Sequence, residues 1–216
     1  MTTYPVPDLV PIAKGGKFVQ EDFLIARQPV AFGDFCIPGS GNSSEQVMRP
    51  ATWDEAIRYC NLLSKQEGLP PAHDEVTGQL IGIDGAPARN LAEVKGFRLP
   101  TGVEWDYAAQ GGRPDAPYSD WGAILNLIYW DDPTSHYANP IAPKEPVTNA
   151  IGLVGMLGFI REWFSLFPVT GDCRNRICGW SHHYTNYDCF IGYHVAGEVA
   201  GEGAVHPFRI ALTGSS

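Results

Sequence analysis

The stretch that most constrains the fold is Gly96–Gly112, GFRLPTGVEWDYAAQGG. Phe97 and Leu99 stand two residues apart, with the alternation of a short strand that the following proline ends. Thr101 followed three residues later by Glu104 predicts a capping box, in which each side chain bonds a backbone N–H at the start of a helix. Aromatic residues and a final glycine pair complete the pattern, so we expect a strand, a tight turn and a capped helix lying on a core.

A second capped helix is predicted over Thr52–Gln66. Thr52 with Glu55 forms another capping box, and a glycine and two prolines close the segment. The apolar spacing gives the helix one buried face. That face contains Ala56, Tyr59, Cys60 and Leu63.

The segments around the two helices have weaker patterns. Residues 18–35 predict two strands, or one strand and a short helix near Val30–Phe35. Residues 73–92 have the turn chemistry of a hairpin insertion. The glycine-rich residues 196–206 are typical of a flexible connection to a last strand over residues 206–212.

Composition narrows the class of protein. Hydrophobic residues make up 44% of the 216 residues, which is enough for a core, while 24 glycines and 18 prolines predict many turns and irregular loops. A net charge of -9 argues against binding to nucleic acid or to an anionic membrane. No signal peptide and no membrane span is indicated, so we expect a cytoplasmic or virion-associated protein.

The central string FRLPTGVEWDYAAQGG closely resembles the core signature of the formylglycine-generating enzyme (sulfatase-modifying factor) family. Asn149–Trp163, NAIGLVGMLGFIREW, and His206–Leu212, HPFRIAL, resemble two further motifs of that family. The family fold is a variant of the C-type lectin fold, which the variable proteins of diversity-generating retroelements also use. The resemblance implies an α+β fold in one domain, residues 1–216, with two helices, short antiparallel sheets and much irregular loop.

The resemblance also implies chemistry that this chain does not match. The enzymes use copper and two cysteines four residues apart, just after a segment that corresponds here to Arg176–Trp180. The residues that follow, SHHYTNYDCF, contain only Cys189. Calcium in the enzymes is held in the segment that matches Asn149–Trp163, where Gly155 and Phe159 replace oxygen-bearing residues. We therefore expect no catalytic residues and no cofactor.

Other chemistry is weakly indicated. The five cysteines are odd in number and have no CxxC spacing, so neither a disulfide framework nor a zinc knuckle is predicted. Four histidines near the C-terminus and one cysteine match no standard zinc spacing. A serine beside one of these histidines lacks a nucleophile elbow. No metal site is expected from the residues considered, which are His182, His183, Cys189, His194 and His206.

The segment Ser181–Val195 has the composition of a binding surface. No lysine or arginine occurs between Arg176 and Arg209, and the segment is rich in Tyr, His, Ser, Asn and Asp. Rigid aromatic and small polar residues together are typical of a paratope. The composition also resembles the variable region of retroelement-diversified proteins, here residues 174–212. The predicted contact residues are Ile177, Ser181, His182, His183, Tyr184, Asn186, Tyr187, Asp188, Phe190, Tyr193, His194 and His206.

These patterns predict a non-catalytic protein that binds a macromolecular ligand, such as a protein or a cell-surface molecule, because a shallow exposed patch suits a macromolecule. Trp105, Trp163, Trp180 and Phe208 are predicted to form the static scaffold. Several alternatives stay open. The segment could be an ordinary loop with inward-facing aromatic residues, and the chain could be a fixed-ligand module, a structural subunit or a formylglycine-generating-enzyme-like oxidoreductase.

Overall fold

In the part of the chain that the computed structural model describes, two α-helices, one 3-10 helix and eight short strands are present. The described residues are 4–15, 18–30, 51–112, 129–130, 140–141, 148–156, 162–168, 174, 176–178, 198–201 and 203–214. The helices are α1 (Trp53–Gln66) and α2 (Gly102–Ala109), and the 3-10 helix is Leu91–Glu93. The strands are β1 (Leu9–Ile12), β2 (Phe23–Ala26), β3 (Tyr129–Trp130), β4 (Pro140–Ile141), β5 (Glu162–Trp163), β6 (Arg176–Cys178), β7 (Glu198–Val199) and β8 (Ala211–Thr213).

The strands form three small antiparallel sheets. The first has the order β1-β2-β8, with Val10 opposite Ile25 and Leu24 opposite Leu212. The second pairs β3 with β4, and the third has the order β5-β6-β7. The first sheet therefore joins the N-terminal strands to the last strand, which ties the two ends of the chain together.

Helix α1 begins and is capped as the sequence predicts. The Thr52 hydroxyl accepts the Glu55 N–H at 3.3 Å, and the Glu55 carboxylate accepts the Thr52 N–H at 2.8 Å. The four residues predicted for the inner face are all buried, which confirms the helical spacing. They are Ala56, Tyr59, Cys60 and Leu63.

Helix α2 has the second predicted capping box, and its glutamate has an additional partner. The Glu104 carboxylate accepts the Thr101 N–H at 2.8 Å and two N–H groups of Arg98 at 2.7 Å each. Arg98 is fully buried although it stands between the buried Phe97 and Leu99. A two-sided strand pattern places such a residue on the outside, but the bidentate pair with Glu104 neutralises the guanidinium and allows burial.

Three buried tryptophans connect the two main hydrophobic clusters to the backbone. The indole N–H of Trp163 donates to the Ala51 carbonyl at 2.6 Å, and that of Trp53 donates to the Phe164 carbonyl at 3.3 Å. The indole N–H of Trp105 donates to a carboxylate described below. Each ring thus packs in the core with its polar atom satisfied, so the scaffold role predicted for Trp105 and Trp163 agrees with the structure.

Some local expectations differ from the structure. Strand β1 was not predicted, because its four residues include a proline and show no clear alternation. Residues 73–92 form turns held by two isolated bridges, from His73 to Leu80 and from Ile81 to Pro87, rather than a hairpin of two strands. Of the expected second element near Val30–Phe35, only Val30 lies within the described residues.

The glycine-rich residues 196–206 were expected to form a flexible connection, but they include a short strand. Glu198–Val199 is strand β7, whose backbone pairs with β6. Small residues permit a strand when the partner strand supplies the hydrogen bonds, so composition alone understated the structure here.

Candidate functional site

A two-strand stem closes the segment that carries most of the predicted contact residues. In the β6–β7 ladder, Arg176 lies opposite Val199 and Ile177 lies opposite Glu198. The chain leaves the ladder at the end of β6 and returns at the start of β7. The connection, residues 179–197, therefore begins and ends on neighbouring strands, which in a sheet lie about 4.8 Å apart.

Strand β5 joins this stem to the core. Trp163 lies opposite Ile177 on one side and is bridged to Phe208 on the other. All three side chains are buried in the same cluster. The stem therefore rests on a packed aromatic and aliphatic layer rather than on solvent.

His206 is held beside this layer. Its N–H donates to the Ala51 carbonyl at 2.9 Å, and its own carbonyl accepts the Ala51 N–H at 3.0 Å. Its ring meets Trp163 edge to face, with centroids 4.7 Å apart and planes at 89°. The side chain is partly exposed, so part of this imidazole is open to solvent beside Trp163.

A buried ion pair fixes the chain on both sides of the stem. Glu162 and Arg209 have no solvent exposure, and two N–H groups of Arg209 donate to the Glu162 carboxylate at 2.6 and 2.7 Å. The Trp105 indole donates to the same carboxylate at 2.9 Å. Because Glu162 lies in β5 and Arg209 just before β8, the pair joins the two sheets and α2 at one point.

The structure places two of the twelve predicted contact residues. Ile177 is 4% exposed and packs in the core, because residues opposite each other in the β5–β6 ladder point to one face and Trp163 points inward. Its predicted role as a contact residue is therefore wrong. His206 is partly exposed, as a contact residue must be. The remaining predicted residues lie outside the described residues, as do Trp180 and Cys189.

Three buried titratable groups lie away from the stem. Burial raises the pKa of the Asp106 carboxyl to about 7 and lowers the pKa of His73 to about 3. Burial also raises the pKa of the Cys60 thiol well above its usual value, so this cysteine is an inert core residue as predicted. Sequence patterns did not single out Asp106 or His73, because their environment comes from residues distant in the chain.

Among the described residues, no group of three or more His, Cys, Asp or Glu side chains could hold a metal ion. A cleft of about 300 Å³ lies between the β1–β2 connection and the start of α2, lined in part by Phe18, Val103 and Phe167. None of its lining residues belongs to the stem or to the predicted contact residues.

The sequence of this chain matches a known protein family. The family described as the sulfatase-modifying factor enzyme 1-like domain matches residues 36–189, which is more than two thirds of the chain. The chain belongs to the sulfatase-modifying factor enzyme 1-like family. The match includes both capped helices and β6, and it ends at residue 189, before β7.

Individual relatives of this family member are distant. The chaperone protein LppX of Paenibacillus barcinonensis is 23% identical over 73% of this chain and 71% of its own. The crystal structure of CarF has a TM-score of 0.62, with 18% identity over 97% of this chain and 99% of CarF. Treponema denticola variable protein 1 has a TM-score of 0.57, with 21% identity over 95% of both chains. The predicted α+β, C-type lectin-like fold is therefore confirmed.

Two cysteines of this sulfatase-modifying factor enzyme 1-like chain bear on the chemistry of the resembled enzymes, Cys60 and Cys189. Cys60 is fully buried and has no access to a substrate. The cysteine that follows the Arg176–Trp180 segment, Cys189, lies outside the described residues. No helix in the described residues is long and apolar enough to cross a membrane.

Proposed function

We propose that this chain is a non-catalytic ligand-binding protein that displays a diversified surface on a single C-type lectin-like domain, residues 1–216. The display segment is residues 179–197, within a variable region of about 174–212. His206 adds a contact from the scaffold beside it. The contact residues of the proposal are Ser181, His182, His183, Tyr184, Asn186, Tyr187, Asp188, Phe190, Tyr193, His194 and His206.

The observation that carries the proposal is the β6–β7 stem, which ties both ends of the display segment to a packed core. A diversified loop must change its residues without unfolding the protein, so the residues that stabilise the fold must lie outside that loop. The buried Glu162–Arg209 pair and the Trp163 layer supply such a foundation on both sides of the segment. The shared fold of a protein described as a variable protein supports the same use of this scaffold.

The ligand is proposed to be a protein or a cell-surface molecule. The display segment contains tyrosines, histidines and small polar residues, and such residues give a large contact area with adaptable hydrogen bonding. Lysine and arginine are absent from residues 177–208, so an anionic polymer such as nucleic acid is a poor partner.

A second candidate function follows from the family itself. Membership of the sulfatase-modifying factor enzyme 1-like family favours an oxidoreductase of the formylglycine-generating type, or an inactive relative with a fixed ligand. Incubation with a cysteine-containing sulfatase peptide, copper and oxygen tests this candidate. Formation of formylglycine in the peptide would replace the binding proposal, and an unchanged peptide mass is the expected result.

The first test of the proposal uses the DNA beside the coding sequence. We expect a non-coding near-copy of the segment encoding about residues 174–212, which differs from it only where the copy has adenine, and a reverse transcriptase gene nearby. The mismatched codons would then identify the contact residues directly. If no such copy exists, diversification is refuted and the segment has a fixed sequence.

A second test separates display residues from core residues. Ser181, His182, Tyr184, Asn186 and Tyr187 are replaced together by alanine, and unfolding in urea is followed by fluorescence. Surface changes each alter the free energy of unfolding by at most about 0.5 kcal/mol, so the fivefold variant should lose no more than about 2.5 kcal/mol. The control Trp163→Ala removes a buried ring and should cost about 3–5 kcal/mol. A loss of control size in the fivefold variant would identify these residues as core.

A further inference from the structure

The cleft beside the start of α2 has a lining that is partly aromatic and partly charged. Four segments supply this lining, which are the β1–β2 connection, the start of the 3-10 helix, the start of α2 and the residues after β5. Its volume of about 300 Å³ lies at the lower end of the range for small-molecule sites. None of the four segments belongs to the display segment, so the cleft is a separate candidate site.

The wall that the β1–β2 connection forms is held in place on both sides of Glu21. Val19 is buried, and its carbonyl accepts the Gly15 N–H at 3.0 Å. On the other side, the Asp22 carboxylate accepts the Lys14 N–H at 2.7 Å. The partly exposed side chain of Glu21 therefore lines the cleft from a fixed backbone.

The other walls are also tied to the scaffold. The Leu91 carbonyl accepts a hydrogen bond from the Thr213 hydroxyl at 3.2 Å, which joins the 3-10 helix to β8. The Ser165 N–H donates to the Pro100 carbonyl at 2.9 Å, which joins the segment that carries Phe167 to the start of α2. The cleft is therefore formed before any ligand binds, as small-molecule sites usually are.

The charged side chains around the cleft leave one carboxylate uncompensated. The Glu104 carboxylate is paired with Arg98 at 2.7 Å, and the Glu93 carboxylate is paired with Arg89 at 3.5 Å. In each pair the opposite charges cancel. Glu21 makes no hydrogen bond or ion pair with another residue in the described part of the chain. The described lining of the cleft therefore has a net negative charge.

A lining of this kind suits an organic cation with an apolar body. Phe18 and Phe167 bring two aromatic rings to the cleft, and an ammonium group is attracted both to a ring face and to a carboxylate. The ring of Phe18 is 67% exposed, so it has surface with which to cover a ligand. Val103 adds aliphatic surface to the lining. An anion would be repelled by the Glu21 carboxylate.

We propose that this cleft binds a small primary amine with an apolar body, and that the Glu21 carboxylate pairs with its ammonium group. The apolar body packs against Val103 and the rings of Phe18 and Phe167. This site goes beyond the proposed function, because it uses no residue of the display segment and does not depend on whether that segment is diversified.

The first experiment titrates the ¹⁵N-labelled wild-type protein at pH 7 with 2-phenylethylamine and, separately, with 2-phenylethanol, and follows backbone amide chemical shifts. A probe of this size should bind with a dissociation constant on the order of 1 mM. The amine should bind about tenfold more tightly than the alcohol, which has the same body without the charge. The shifts should cluster in residues 18–21, 89–91 and 101–104. Equal affinities, the absence of saturable binding, or shifts confined to other residues would overturn the proposal.

The second experiment repeats both titrations with variants. Glu21→Gln keeps the size of the side chain but removes its charge, so it should weaken amine binding about tenfold and leave alcohol binding unchanged. Glu67→Gln is the matched control, because Glu67 is exposed at the end of α1 and does not line the cleft. An unchanged preference for the amine in Glu21→Gln, or an equal loss in both variants, would refute the pairing. Phe18→Ala should weaken the binding of both probes, and unchanged binding would contradict the packing on its ring.

Discussion

The replacement of Asp106 by asparagine should stabilise this protein, and more strongly as the pH rises. Asp106 lies in α2 and is 7% exposed. Its Oδ1 atom is buried and accepts no hydrogen bond in the structure. A buried carboxylate oxygen without a partner is costly when the group is ionised, and burial accordingly raises the pKa of Asp106 to about 7 from the ordinary value of 3.8.

The sign and size of the effect follow from proton linkage. Because the folded-state pKa lies above the unfolded one, the folded protein keeps the proton that the unfolded chain releases between pH 3.8 and 7. The protein is therefore favoured at low pH and loses stability as the pH rises through this window. Each pKa unit corresponds to about 1.4 kcal/mol, so the full loss above pH 7 is about 4 kcal/mol.

Asparagine has nearly the same shape and carries no charge at any of these pH values. Its buried amide also lacks a partner, and this costs about 1–3 kcal/mol at all pH values. The absolute gain at pH 8 is therefore only part of the linkage energy. The cost of the buried amide is the same at every pH. The quantity to measure is therefore how the difference in the free energy of unfolding between Asp106→Asn and the wild type changes with pH, because this change does not include the amide cost.

Urea unfolding followed by tryptophan fluorescence at several pH values from 5.5 to 8.5 provides that quantity and avoids the pI of about 5.0. Over this range the stability advantage of Asp106→Asn should grow by about 2 kcal/mol, because about 1.5 pH units separate pH 5.5 from the folded-state pKa of about 7. Asp84→Asn is the control, because Asp84 is exposed in a turn and its amide can keep the hydrogen bond to the Ala86 N–H. A difference that stays constant within about 0.5 kcal/mol between pH 5.5 and 8.5 would refute the reasoning.

Three further predictions concern the scaffold, each measured as a free energy of unfolding in urea. Glu162→Ala should cost about 3–5 kcal/mol, because it leaves a buried guanidinium without its carboxylate, and a loss below 1 kcal/mol would contradict this. Gly78→Ala should cost more than Gly85→Ala; both glycines have φ 77°, but only at Gly78 would a Cβ atom meet a ring, that of Trp53 at 2.2 Å. Equal losses would show that the ring moves aside. His73, whose pKa burial lowers to about 3, should favour the unfolded state as the pH falls below 6.5, so His73→Gln should weaken the acid dependence of stability.

Local sequence predicted the parts of the fold that local interactions determine. Both capping boxes, the bounds of α1 and its buried face agree with the structure, because a cap and a helical face involve residues only three or four positions apart. The family was also predictable, since its motifs are strings of neighbouring residues. The flanks of the candidate site were not predicted in this way, since residues 196–206 were expected to be a flexible connection but contain β7, and Ile177 points to the core.

The tertiary structure decided the features that join distant parts of the chain. Arg98 and Arg209 are charged residues that composition assigns to the surface, yet both are fully buried. Arg209 pairs with Glu162, 47 residues away in the chain, and Arg98 pairs with the nearby Glu104 but also donates to Thr213, 115 residues away. The pairing of β2 with β8, the stem that closes residues 179–197 and the cleft beside the start of α2 arise in the same way. The helices, their caps and the family can be predicted from the amino-acid sequence alone, because they depend on near neighbours. Burial, charge pairing and the raised pKa of Asp106 depend on which remote residues exclude water, and only the folded chain determines that.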